Sequence, residues 1–164
     1  MKLFSLLASV LGVFLITLQV NAQTKLPSVN VKTLEGKTVN IEEYGKKGKV
    51  TVISFWATWC SPCKKELDAI ADVYDDWKKK YNIDFIAITI DDARGLAKVK
   101  PMVKEKGWEY TILSDANKDL QNAMNFQTVP QTFLLDKKGN IVYTHSGYVA
   151  GDEFELEKKI KGLK

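Results

Sequence analysis

The chain contains two cysteines, Cys60 and Cys63, enclosing Ser61 and Pro62. Ahead of them lies Val50 to Trp56, an almost continuously apolar, β-branched run; behind them the pattern becomes helical. The first turn of a helix presents unpaired backbone N–H groups and the positive end of the helix dipole. A thiolate is stabilised there, so Cys60 is expected to ionise readily and act as a nucleophile. Pro62 suits the same turn, where its missing N–H costs nothing. Cys63 falls one turn further in, placed to attack a mixed disulfide formed by Cys60. The spacing predicts a two-step exchange centre in which Cys60 attacks and Cys63 resolves.

Other uses of two thiols compete with this one. A purely structural disulfide would close a loop of four residues and contribute roughly 2 kcal/mol in the chain-entropy model, whereas a stabilising bridge normally links distant segments. A zinc site would have one C-x-x-C and the distant His145, three ligands at most. Haem attachment needs histidine directly after the second cysteine, where Lys64 stands. A peroxidatic P-x-x-x-T/S-x-x-C pattern fails because Ile53 and Ala57 occupy its proline and hydroxyl positions. No metal and no cofactor are expected.

The elements that must hold this centre can be read from the pattern. Val29–Thr33 and Thr38–Ile41 flank Leu34-Glu35-Gly36-Lys37, a hairpin signal. The run Val50–Trp56 reads as a strand buried on both faces. From Ser61 onward, Leu67, Ile70, Ala71, Tyr74, Trp77 and Tyr81 keep helical spacing, and the Tyr74–Trp77 stripe reads as core. Asp84–Ile90 is a second buried strand, with Asp91 and Asp92 ending it and available to cap the next helix. Leu96, Val99 and Val103 mark that helix, which Pro101 should kink or restart and Gly107 should close. A short strand over Tyr110–Leu113 and a short helix over Asn117–Met124, opened by Asp115 or Asn117, come next. Thr132–Asp136 and Ile141–His145 flank a hairpin turn at Lys137-Lys138-Gly139-Asn140, and Asp152–Lys161 is a terminal helix. A β-α-β crossover demands a parallel central pair, and the late hairpin adds antiparallel strands. The expected class is α/β: a mixed central sheet with helices on both faces.

The stretch Phe55-Trp56-Ala57-Thr58-Trp59-Cys60-Ser61-Pro62-Cys63-Lys64-Lys65-Glu66, with Val129-Pro130-Gln131-Thr132-Phe133-Leu134-Leu135-Asp136, then Gly139 and Gly147, resembles the extracytoplasmic TlpA/ResA type of thioredoxin-like thiol–disulfide oxidoreductase. The resemblance covers essentially everything after residue 22, including the N-terminal hairpin and the helix-and-strand insertion between residues 94 and 113. It implies a thioredoxin-like fold, a redox-active disulfide between Cys60 and Cys63, and a cis Val129–Pro130 bond beside it, whose backbone pairs with substrate. It also implies that Trp59, Pro62, Val129, Pro130, Gly147 and Tyr148 face substrate, although Tyr148 also reads as a surface tyrosine without a role. Glu66 lies one helical turn beyond Cys63 on the same side. In ResA-like proteins the matching glutamate acts on the thiols, by taking the proton of the buried one or by raising thiol pKa values through like-charge repulsion; the alternative is a solvated glutamate paired with Lys64 or Lys65. Ser54 departs from cytoplasmic thioredoxin, which carries a buried aspartate there, and this leaves Glu66 as the substitute. Trp56 reads as core, His145 as a strand-end polar residue, and Lys64 and Lys65 as solvated.

The first 22 residues read as an address. Lys2 is their only charge, an apolar run follows from Leu3 to about Leu18, and Val20-Asn21-Ala22 ends in small or short residues. These are the parts of a secretory signal peptide; an uncleaved membrane anchor is the alternative. The division is then a signal peptide over 1–22 and one thioredoxin-like domain over 23–164, folding in the periplasm or outside the cell, where disulfides persist. The 164 residues, with 45% apolar and 27% charged side chains, suit one globular domain. A net charge of +4, from 24 basic and 20 acidic residues spread along the chain, does not mark a nucleic-acid surface. The resemblance implies a reductant in cell redox homeostasis, of the cytochrome c maturation kind. Its partners would be exported proteins carrying disulfides or C-x-x-C motifs and a membrane-bound electron donor. A disulfide oxidase or isomerase, or a non-catalytic binding module, is the alternative. The chain is expected to act as a monomer.

Overall fold

The computed structural model describes residues 25–163; the expected signal segment, 1–22, lies outside the described residues. Strands β1 (Asn30–Thr33) and β2 (Thr38–Asn40) form the antiparallel hairpin, turning at Gly36 with φ +84°. A one-turn helix, α1 (Glu42–Gly45), follows it. Strand β3 (Thr51–Trp56) is buried along its whole length and feeds α2 (Ser61–Tyr81). Then come β4 (Asp84–Thr89), α3 (Leu96–Lys106), β5 (Thr111–Ser114) and α4 (Asp119–Ala123). The hairpin of β6 (Gln131–Leu135) and β7 (Ile141–Ser146) precedes α5 (Asp152–Lys161).

The seven strands make one sheet in the order β2-β1-β5-β4-β3-β6-β7. β3, β4 and β5 run parallel; β6 is antiparallel to β3, β7 to β6 and β1 to β5. Two successive crossovers in one direction, both right-handed, put α2 and α3 on the same face. Asp68 of α2 accordingly receives Lys106 Nζ at 2.7 Å and Trp108 Nε1 at 3.0 Å from the end of α3. Alternation along β3 sends Ser54 and Trp56 toward that face and Phe55 to the other. There Phe55 packs on Phe126 and Phe133, with ring centroids 4.6 and 6.0 Å away. Trp56 meets Trp108 edge-on at 5.1 Å.

Three details differ from the sequence pattern. The helix does not restart at Pro101: α3 runs unbroken from Leu96 to Lys106 with the proline inside it. Pro101 and Ala97, the residue whose carbonyl loses its N–H partner, are both exposed, so water can serve the carbonyl. The short helix begins at Asp119, but its opening is the expected one: the Asp115 carboxylate accepts the N–H groups of Leu120 and Gln121 at 3.1 and 2.8 Å. Asp92 accepts from the backbone of Arg94 and Gly95 ahead of α3, whereas Asp91 turns inward to another task.

Candidate active site

Cys60 is the N-cap of α2, in extended conformation, with Pro62 in the first turn. Its Sγ lies 3.2 Å from the backbone N of Cys63, so the sulfur sits where the free N–H groups of the helix converge. The two cysteines are joined in a disulfide, their Cα atoms 5.3 Å apart. Cys63 is completely buried and Cys60 almost so, at 5% exposed. Beside them Trp59 is 69% exposed, and Ser61 and Pro62 face solvent.

The second segment arrives from the loop ahead of β6. The Val129–Pro130 bond is cis, and the Val129 carbonyl oxygen lies 3.7 Å from Cys60 Sγ. The Pro130 carbonyl accepts the N–H of Gly147 at 2.9 Å, and Gly147 has φ +83°, a conformation open to glycine without penalty. Trp59, Pro62, Val129, Pro130 and Gly147 are therefore gathered around the disulfide. Tyr148 stands apart from that group: its hydroxyl donates to Glu153 at 2.9 Å, and its ring borders a small cavity over Glu66.

Glu66 is no solvated helix residue. It is 5% exposed, and it accepts hydrogen bonds from Thr132 Oγ1 at 2.7 Å and Ser54 Oγ at 2.9 Å. Burial pushes its carboxyl above the ordinary range, and the two hydroxyls pull it back in part. The nearby His145 also lowers it and Asp152 raises it. Lys64, one of the proposed ion-pair partners, donates instead to the Thr58 carbonyl at 3.1 Å.

Two participants escaped the sequence reading. Asp91, 2% exposed, accepts from Thr58 N at 2.8 Å, Thr58 Oγ1 at 2.7 Å and Thr89 Oγ1 at 2.6 Å. It pins the turn two residues ahead of Cys60. His145 belongs to the surroundings of Glu66, where its Nε2 lies 3.1 Å from Asp152 Oδ2. The one signal for Asp91 was its place at the end of a buried strand level with the cysteines. Nothing local marked His145. Among the described residues no group of three or more His, Cys, Asp or Glu side chains could hold a metal ion.

The sequence model of the AhpC/TSA family matches residues 22–144, three quarters of the chain. The chain belongs to the AhpC/TSA family. It is 30% identical over 129 residues to the thiol-disulfide oxidoreductase ResA of Bacillus anthracis, covering 79% of this chain and 72% of that one. Among solved structures, a thioredoxin-like protein from Porphyromonas gingivalis is 46% identical with a TM-score of 0.75, over 84% of this chain and 90% of that one. StoA of Bacillus subtilis is 27% identical with a TM-score of 0.64, over 80% of this chain and 99% of that one. The fold is thioredoxin-like and the protein is a thiol–disulfide oxidoreductase of the ResA type. This member of the AhpC/TSA family lacks the peroxidatic pattern, with Ile53 and Ala57 at the two positions that pattern requires.

Proposed function

We propose that the protein reduces disulfides in exported proteins by exchange at Cys60 and Cys63. The observation that carries this reading is the disulfide at the start of α2 with Glu66 buried behind it. In the reduced protein the Cys60 thiolate attacks a substrate disulfide and displaces the first substrate thiolate. Cys63 then gives its proton to the Glu66 carboxylate and attacks Cys60 Sγ, which releases the second thiolate and closes the protein disulfide. Substrate lies across Trp59 and Pro62 and pairs with the backbone at Val129–Pro130, next to Gly147. The raised carboxyl of Glu66 suits a group that must accept and later release a proton.

The reading places the domain, residues 23–164, outside the cytoplasm after removal of residues 1–22, on the strength of the Lys2, apolar-run and Ala22 pattern. Apocytochrome c is the substrate class favoured, because its C-x-x-C-H must be reduced before haem attachment; a membrane-bound donor would supply the electrons. The Ser-Pro pair between the cysteines, without histidine beside the second, favours reduction over oxidation. Replacing Cys63 by Ser removes the resolving thiol and should trap exported proteins on Cys60 as mixed disulfides, read by non-reducing electrophoresis. Absence of any trapped partner rejects the exchange role on exported proteins. A reduction potential near that of strong oxidants, about −120 mV, reverses the direction.

A further inference from the structure

A line of polar side chains crosses the sheet beneath Glu66. Ser54 on β3 pairs with Thr132 on β6, and Thr132 pairs with His145 on β7. Directly opposed residues on neighbouring strands present their side chains to the same face, a few ångströms apart. The line therefore runs from the centre of the sheet to its edge strand, under α2 and α5. At its inner end Ser54 and Thr132 both donate to Glu66. At its outer end His145 meets Asp152, with 34% of the histidine side chain open to solvent. Glu66, Thr132, His145 and Asp152 all border one cavity, with room for about one water molecule.

We propose that His145 is the relay through which Glu66 exchanges its proton with solvent. The inference rests on the reading of Glu66 as the acceptor of the Cys63 proton. When Cys63 attacks Cys60, its proton forms an O–H bond on Glu66. The oxidised protein sheds that proton to solvent, and Cys63 recovers one when the disulfide is next reduced; Glu66 has almost no surface of its own through which to shed it. A water in the cavity takes the proton and passes one to the imidazole of His145. The resulting imidazolium, held by Asp152, releases a proton to bulk water, and the displaced substrate thiolate draws one from bulk water. Closure costs the protein the one proton that left Cys63, and reduction of the disulfide returns one.

The other groups around the cavity do not serve equally well. Tyr148 is pushed up to about 12 by burial and by Glu153, and burial likewise raises Tyr143. Tyr110, on the opposite side of Glu66, is raised by burial and donates to the Leu67 carbonyl. Asp152 receives the Val149 N–H as well as His145, and Glu153 receives Tyr148 and the Gly151 N–H. Histidine is the side chain suited to take and give protons near neutral pH, and His145 is the only one in the chain. Its ring stacks on Tyr143, with planes 6° apart, which fixes it beside the cavity.

The test follows two events in the whole protein, with oxidised glutathione as the probe, in dilute non-imidazole buffer near neutral pH: closure of the mixed disulfide, and loss of the proton from the Glu66 carboxyl, read by its infrared C=O stretch. His145→Gln should slow loss of that proton about tenfold, short of the ~10²-fold of a directly acting acid–base group. Added imidazole should restore the rate in the variant and leave the wild type unchanged, a rescue that a merely structural role would not show. A variant that loses the proton at the wild-type rate, or a slowing that imidazole does not relieve, overturns the relay. Glu66→Gln is run beside it. If Glu66→Gln closes slowly while His145→Gln loses the proton at the wild-type rate, the relay alone falls; if Glu66→Gln closes at the wild-type rate, the role of Glu66 falls and takes the relay with it.

Discussion

Glu66 and Asp91 are sealed beside the same pair of cysteines, 5% and 2% exposed, yet their surroundings differ in kind. Asp91 accepts three short hydrogen bonds, one of them from a backbone N–H in the turn that leads to Cys60. Gly95 closes over it so tightly that a Cβ there would stand 2.7 Å from Asp91 Oδ1. Glu66 accepts two hydroxyls only, and a small cavity with a histidine and two further carboxylates lies beside it. A buried carboxylate tied to a backbone N–H as well as to hydroxyls is a strut, since moving it would orphan a donor that cannot turn away. One held by hydroxyls that can turn, next to a path to solvent, can change its protonation state at low cost. One fixed backbone donor on the one side and a cavity alongside on the other, rather than depth, separate the anchor from the proposed acid–base group.

The contrast can be broken in three places. Replacing Asp91 by Ala leaves the Thr58 N–H and two hydroxyls without their acceptor and should cost about 3–5 kcal/mol of stability, read from urea unfolding. A loss under about 1 kcal/mol would mean that water takes over the role and that no strut exists. Replacing Glu66 by Gln should leave the domain folded but slow closure of the mixed disulfide by about 10²-fold, near 2.7 kcal/mol of barrier. Unfolding of that variant, or an unchanged rate, would put Glu66 in the same class as Asp91.

The smallest effect is in the pH dependence of stability. Burial holds the Glu66 carboxyl above its ordinary value of 4.5 in the folded protein. Below the unfolded value both states carry the proton and nothing is lost. As pH rises through the interval between the unfolded and folded values, the unfolded chain ionises first and the fold loses stability; above the folded value the loss is complete. The stability difference, wild type minus Glu66→Gln, should therefore decline from about pH 4.5 upward and then level off. A flat difference across that range would mean that the carboxyl is not perturbed.

The contrast also marks what one dimension of sequence can hold. The long helix and the thiol pair at its start were legible because their signals are local: C-x-x-C after an apolar run and a stripe at helical spacing; the disulfide and the cis Val129–Pro130 bond were legible only through the family resemblance. The position of Glu66 relative to Cys63 was legible too, from helical period alone. Its burial was not, because the hydroxyls that permit it come from Ser54 and Thr132, on strands 78 residues apart in number and adjacent only through the register of β3 and β6. His145 joins the same line through the register of β6 and β7, so on its own it read as a polar strand end. Asp91 offered a cap to the helix after it, but partners upstream, Thr58 with two bonds and Thr89 with one, won. The one-turn α1 was silent because four residues carry no period.

Of the four tryptophans in the chain, Trp56, Trp77 and Trp108 are 0%, 1% and 4% exposed, while Trp59 is 69% exposed and adjacent to Cys60. A water-borne fluorescence quencher thus reaches one indole and is kept from the rest by the packed interior. The molecule carries its own optical probe at the mouth of the chemistry, and shielding of that single emitter would report, without any label, when another chain settles over the sulfurs.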